Sequence, residues 1–247
     1  MPLLQHLAEF RERIFKSAII ISIGFVVNWF FYNPIVQKLA EPVCDLNLAQ
    51  RNGSEQCGAL YINGVLGPIN LQIKVSLIAG LIVTAPLWIY QLWAFVSPGL
   101  HEHEKRRAFY FLTAATPFFA GGITLGYLIL PVAIRVLFGF TPSQLQNLIN
   151  FGDYLDFVLR VILLFGLAFE LPVFLVTLNL LGAVSGATIL KHWRGWVFGI
   201  TVFIAAFTPS ADPLTMMLLA IPLYIFYFAA GGIALLNDRK RRVALSD

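Results

Sequence analysis

Long apolar runs separated by short charged clusters set the pattern of this 247-residue chain. Six runs can be drawn, roughly at 14–33, 71–96, 108–131, 154–181, 194–208 and 214–236, each judged against the ~20 residues a helix needs to cross ~30 Å of hydrocarbon. The stretch from Gly195 to Phe207 reaches only about 20 Å at ~1.5 Å per residue. Beside it the bilayer is expected to thin, or neighbouring helices to shield it. Ahead of the first run, Leu3, Leu4, Leu7, Phe10 and Ile14 recur at steps of one, three and four, which predicts an amphipathic helix over 1–13 lying in the membrane interface. The opening MPLLQHLAEFRERIF holds Glu9 and Glu12 among its cations and closes on no small-residue cleavage site, unlike a cleaved signal peptide, so the first span is expected to be retained.

Composition narrows the class. With 58% apolar and 12% charged residues the chain is far from soluble-domain averages, and it reads as an all-α integral membrane protein with one six-span domain over 1–247. An even number of spans puts both termini on one side. That side carries Arg11, Arg13, Lys16, Lys105, Arg106, Arg107, Lys191, Arg194 and the cations at 239–242, against Lys38, Arg51, Lys74, Arg135 and Arg160 on the other. Twelve of the 17 Lys and Arg residues therefore place both termini in the cytoplasm, because loops rich in Lys and Arg stay inside. Residues 34–70 then form an external loop, 97–107 a cytoplasmic loop and 237–247 a basic cytoplasmic tail. The net charge of +4 arises in loops flanking the spans, and no basic-aromatic surface points to nucleic acid.

The external loop holds both cysteines, Cys44 and Cys57, on the side of the membrane where disulfides persist. They are expected to pair, closing a loop worth ~3 kcal/mol in the chain-entropy model. No repeat of fixed period is visible, and the hydropathy does not divide into the matching halves of the commonest transporter plans. Motifs of metalloproteases, phosphate-cradling loops and Gly-x-Ser-x-Gly elbows are missing from the sequence. His101 and His103, spaced by two, would point to different faces of a helix, so neither a metal site nor a cofactor is expected.

Glu170, in FGLAFELPVF, lies near the middle of the fourth run with no Lys or Arg nearby in sequence. A charge at that depth costs at least ~2.5–3.5 kcal/mol. Two readings fit it: a protonated acid bonded to a neighbouring helix or to the carbonyl freed by Pro172, or a polar spot on which another membrane helix docks. Pro86, Pro117, Pro131, Pro172 and Pro222 lie within or at the ends of runs, where each removes a backbone donor and tends to bend its helix. Glu104, in SPGLHEHEKRRAFYF, could cap the third span for ~0.3–1 kcal/mol. Alternatively Glu104 and Glu9 converge on a cationic ligand, and paired carboxylates suit guanidinium groups, which dock through two parallel hydrogen bonds.

The segments HLAEFRERI (6–14), PLWIYQLWAFVSPGLHEHEKR (86–106), FGLAFELPV (165–173) and FTPSADPLTMMLLAIP (207–222) resemble, in order and over nearly the whole chain, the TatC family of twin-arginine protein translocases. The resemblance implies a concave, glove-like bundle of six helices with short fifth and sixth spans, in a bacterial inner membrane. It implies recognition of signal peptides bearing consecutive arginines, single-span TatA-type and TatB-type partner subunits, a possible homo-oligomer, and export of folded proteins driven by the proton-motive force without catalysis. Carried over by motif, the signal-binding residues fall on Glu9, Glu104, Arg11, Arg13, Phe95 and Arg106, the intramembrane acid on Glu170, and external functional positions on Pro42 and Asp212. Phe10 stands where the family motif usually has leucine, and Lys105 where many relatives have arginine; neither change removes a carboxylate. The competing reading is a small-solute secondary transporter with Glu170 as its proton-coupled residue.

Overall fold

The structure is a computed structural model that describes residues 3–44, 60–96, 102–140, 149–180, 182, 184–207 and 213–243. Nine helices and one short strand pair make up the described residues: α1 (Leu3–Phe30), α2 (Tyr32–Cys44), β1 (Leu60–Tyr61), α3 (Gly67–Val83), α4 (Ala85–Val96), α5 (Glu102–Phe138), β2 (Ile149–Asn150), α6 (Phe151–Leu180), α7 (Gly186–Lys191), α8 (Trp193–Phe207) and α9 (Pro213–Val243). Four of the helices are long and apolar enough to cross a membrane, in the windows Ala8–Phe30, Ala115–Phe138, Phe151–Leu180 and Met216–Arg241. Together α3 and α4 pass the same test as a bent pair, and α8 is a shorter apolar helix. Those six apolar segments are the six runs of the sequence.

Three details differ from the pattern of runs. α1 is unbroken from Leu3 to Phe30, so the amphipathic segment expected over 1–13 is continuous with the first span; between them the sequence has neither proline nor glycine to stop a helix. The second run bends by 63° at Thr84. There Pro86 has no N–H for the carbonyl four residues back, and Thr84 turns both its N–H (3.0 Å) and its hydroxyl (2.7 Å) to the carbonyl of Gly80. The fifth span is short, as expected, but the sixth is carried by a helix of 31 residues. Its apolar face continues into the basic tail, where Asn237 through Arg241 keep helical geometry.

The chain forms two compact units, Met1–Leu100 with Tyr127–Leu163, and His101–Gly126 with Leu164–Asp247. In the first, α1 crosses α3 where Gly24 meets Gly80: a Cβ on Gly80 would lie 2.6 Å from the backbone nitrogen of Phe25. Only a glycine lets two backbones come this close. The buried Asn28 donates to the carbonyl of Gly24 at 2.8 Å, so its amide is satisfied within its own helix. α2 is fastened by two tyrosines, with Tyr154 donating to the carbonyl of Leu39 (2.7 Å) and Tyr127 to that of Lys38 (2.9 Å). Lys74 and Asp156 pair through both carboxylate oxygens, at 2.9 and 2.7 Å, and β1 pairs in parallel with β2.

In the second unit, Gly122 and Gly166 bring α5 and α6 together; a Cβ on Gly122 would stand 2.5 Å from the carbonyl oxygen of Phe165. α7 and α8 pack along α9, where Gly186 lies against Ala234 and Leu235, and Gly231 against Leu190. A polar knot closes the end of this packing. The buried Asn179 donates to Asp238 (2.8 Å) and to the carbonyl of Val184 (3.0 Å) and accepts from Asn237 (2.9 Å), while Asp238 accepts from the backbone N–H of Gly186 (2.7 Å).

Candidate functional site

Glu9 and Arg13 fall one helical turn apart on α1, so their side chains share a face. The Glu9 carboxylate stands 3.6 Å from the Arg13 guanidinium, whose other nitrogen donates to Gln91 of α4 at 3.1 Å. One turn of the same helix sets Phe10 against Phe95, with ring centroids 5.0 Å apart. Arginine thus bridges α1 to α4 through an amide, and the aromatic pair seals the joint. Glu9 and Arg13 remain 26% and 28% exposed, and among the described residues Glu9 accepts no hydrogen bond. The carboxylate is held in place by charge while its acceptor lone pairs stay available. Such a part-exposed ion pair is worth only ~0–1 kcal/mol to stability.

A concavity of about 680 Å³ opens on this face, lined by Ala8, Glu9, Arg11, Glu12, Arg13 and Phe15. The second acid in it, Glu12, is bonded to Lys16 at 2.6 Å. Of the two carboxylates in it, Glu9 is the one that accepts no hydrogen bond among the described residues. Glu104 and Arg106 stand in the first turns of α5, but their side chains, like Asp212 and Cys57, lie outside the described residues. Gln91 escaped the sequence reading. Its only signal was a lone amide in the apolar run IYQLWAF, and its role shows once α4 is laid beside α1.

On the other side of the first unit, Pro42 is buried inside α2, and Cys44, the last residue of that helix, is disulfide-bonded. Lys38 and Glu41 pair at 2.7 Å, and Tyr127 reaches the second oxygen of Glu41 at 3.3 Å. The hydrogen bond from Lys38 holds the Glu41 carboxyl below its ordinary value, and the same bond raises the Lys38 ammonium. Within the second unit, Glu170 sits in α6 one turn after Gly166 and two residues before Pro172. Its Oε1 is buried with no hydrogen-bond partner among the described residues. Phe169 packs on Phe226 beside it, with centroids 4.3 Å apart.

Apolar helices of spanning length, in a chain whose polar and charged side chains gather at their ends, define a multi-pass helical membrane protein. A family model described as Sec-independent protein translocase protein (TatC) matches residues 5–222. TatC of Xylanimonas cellulosilytica is 43% identical over 246 residues, covering 99% of this chain and 88% of its own. TatC of Rothia mucilaginosa is 39% identical, covering 98% and 81%. A crystal structure of the twin arginine translocase receptor TatC superposes with a TM-score of 0.81 at 29% identity, over 94% of this chain and 98% of that one; a second, in DDM, gives 0.80 at 30% identity. The chain belongs to the TatC family. Matches of this extent to translocase subunits leave the small-solute transporter reading of Glu170 unsupported.

Proposed function

We propose that this chain is the receptor subunit of a twin-arginine translocase, binding the Arg-Arg signal peptides of folded proteins at a bacterial inner membrane, with both termini cytoplasmic. The observation that carries the reading is Glu9: it pairs with Arg13, which Gln91 anchors, is part exposed, and accepts no hydrogen bond among the described residues. A guanidinium supplies two coplanar donors to such a group, whereas an ammonium supplies a point charge. Glu104, Arg11, Arg13, Arg106 and Phe95 are the further residues proposed to bind the signal. Exposed ion pairs give only ~0–1 kcal/mol each, so the charged contacts set register and selectivity. The apolar stretch of the signal supplies most of the affinity, at ~25 cal/mol per Å² buried.

TatA-type and TatB-type single-span subunits are the proposed partners, and the Glu170 oxygen that is buried with no partner among the described residues supports a seat for one of their helices. Glu170→Ala is expected to reduce recovery of those partners with the chain; undiminished recovery removes that role. The receptor reading is tested by binding labelled Arg-Arg and Lys-Lys signal peptides to the solubilised chain and to Glu9→Ala and Glu104→Ala. Wild type should prefer Arg-Arg, and each substitution should erase the preference. Equal binding of both peptides by wild type would refute bidentate docking.

A further inference from the structure

Every residue from Lys191 to Trp196, at the corner between α7 and α8, is exposed. Neither Lys191 nor Arg194 has a carboxylate within ion-pair reach among the described residues. The Arg194 guanidinium lies over the Trp193 indole, 5.6 Å from its ring centroid, a stacking that orients it and leaves its N–H edge free. Trp193 packs against Phe228 (6.4 Å) and Trp196 against Tyr227 (6.1 Å). Tyr227 is itself buried and donates to the carbonyl of Ile189 at 2.6 Å, which makes the corner rigid. Neither indole N–H has an acceptor among the described residues.

The depth of this corner decides what it can bind. Trp193 is level with Phe228 on α9, and Asp238 follows ten residues later, about 15 Å further along the helix. Over that interval Ile233 and Leu236 are exposed, so Lys191 and Arg194 lie beside apolar surface and short of the basic tail at Arg239–Arg241. Cations in such a position need a counterion, and Asp238, the acid at this end of α9, is committed to Gly186 and Asn179. One and two turns beyond Arg194 on the same face of α8 stand Phe198 and Val202, both exposed. A charged head followed by an apolar track is the shape of a phospholipid.

We propose that the α7–α8 corner binds the phosphate of an anionic glycerophospholipid, with Arg194 and Lys191 as its cationic ligands, the indole N–H groups of Trp193 and Trp196 as further donors, and Phe198 and Val202 against an acyl chain. This site does not depend on the signal-peptide reading. The test compares association of phosphatidylglycerol and phosphatidylcholine with the whole delipidated chain by native mass spectrometry. Wild type should favour phosphatidylglycerol, and Lys191→Gln with Arg194→Gln should lower that preference by about fivefold per cation. Arg239→Gln with Lys240→Gln should lower it far less. An equal loss in both pairs, or no preference in wild type, overturns the proposal; displacement of the lipid by inorganic phosphate at equal concentration would assign the site to free phosphate instead and also overturns it. A second readout needs no charge variant: bromine-labelled phosphatidylglycerol should quench tryptophan emission more than bromine-labelled phosphatidylcholine, and Trp193→Phe should shrink the difference. Equal quenching by the two lipids counts against the site.

Discussion

Gly80→Ala tests whether the crossing of α1 and α3 positions the recognition carboxylate. A Cβ at Gly80 would stand 2.6 Å from the nitrogen of Phe25, 2.7 Å from the carbonyl carbon of Gly24 and 3.0 Å from the Cα of Phe25. All three are backbone atoms, so no rotamer change relieves the clash; the helices must part by most of an ångström to restore ordinary contact at ~3.5–4.0 Å. Overpacking of this kind costs ~1–3 kcal/mol, against ~1 kcal/mol that alanine gains over glycine in a helix interior. The net loss, up to about 2 kcal/mol, lowers the folded-to-unfolded ratio by as much as ~30-fold. The same displacement reaches the site, because α1 also carries Arg13, whose bond to Gln91 is 3.1 Å long and tolerates little stretch. Thermal unfolding in detergent and Arg-Arg peptide affinity should therefore both fall in Gly80→Ala. Gly199 in α8 provides the control: nothing lies within 4 Å of a Cβ there, so Gly199→Ala should leave peptide affinity unchanged and stability equal or slightly higher. If Gly80→Ala matches Gly199→Ala in both assays, the crossing is looser than its geometry states and the argument fails.

The remaining predictions concern α2 and the residues at its end. Cys44 is disulfide-bonded and Cys57 is its proposed partner, so the native chain should show no alkylatable thiol and two after reduction, with Cys44→Ser losing about 3 kcal/mol of stability; thiols that react without reductant would refute the pairing. Glu41 is held below its ordinary value of 4.5 by the bond from Lys38, so the stability this pair gives α2 is complete above pH 4.5 and is lost as pH falls through the lower folded value. Lys38 is raised above 10.5 by the same bond, and its contribution is complete below that pH and lost only as pH rises through the higher value. The pair should thus stay closed between those limits. A carboxyl-carbon resonance of labelled Glu41 should titrate below 4.5 and move up in Lys38→Met; a midpoint at or above 4.5 in the intact chain would contradict the assignment.

Much of the fold is legible because lipid simplifies the code: an apolar run of spanning length has to satisfy its backbone internally, and a helix is the way to do so. The six runs follow from that rule, while the helical spacing of Leu3, Leu4, Leu7, Phe10 and Ile14 is what places Glu9 on a helix. Interruptions were harder to read. Pro86 and Pro172 look alike in sequence, yet the chain bends at Thr84 beside the first, while α6 runs through the second as one helix. Neighbours decide between these outcomes, and neighbours are not written in a run. The same holds for pairs far apart in sequence. Lys74 and Asp156 are 82 residues apart and Arg13 and Gln91 78, so no local pattern announces either. Asn237 and Asp238 open the basic tail, and nothing in that tail's sequence announces that both turn inward to Asn179.

Asn179 and Glu170 sit on the same helix nine residues apart and answer the burial of polar atoms in opposite ways. Asn179 uses its amide fully, with Val184, Asp238 and Asn237 as partners, and the result ties α6, α7 and α9 together. Glu170 keeps a buried oxygen with no partner among the described residues, although α6 could have carried leucine there at no cost in hydrogen bonding. An unpaired buried acceptor costs ~1–3 kcal/mol, and the neighbouring packing of Phe169 on Phe226 offers it nothing polar. A helix that satisfies one buried polar side chain in full has the means to satisfy another. The unpaired oxygen therefore leaves room for a donor from beyond the described residues, which is what the proposed seat for a partner helix at Glu170 rests on. Glu9 differs: it is paired with Arg13 but part exposed, so water can meet its acceptors in the isolated subunit and a ligand's donors can replace that water. Of these two carboxylates, the burial cost therefore falls on Glu170.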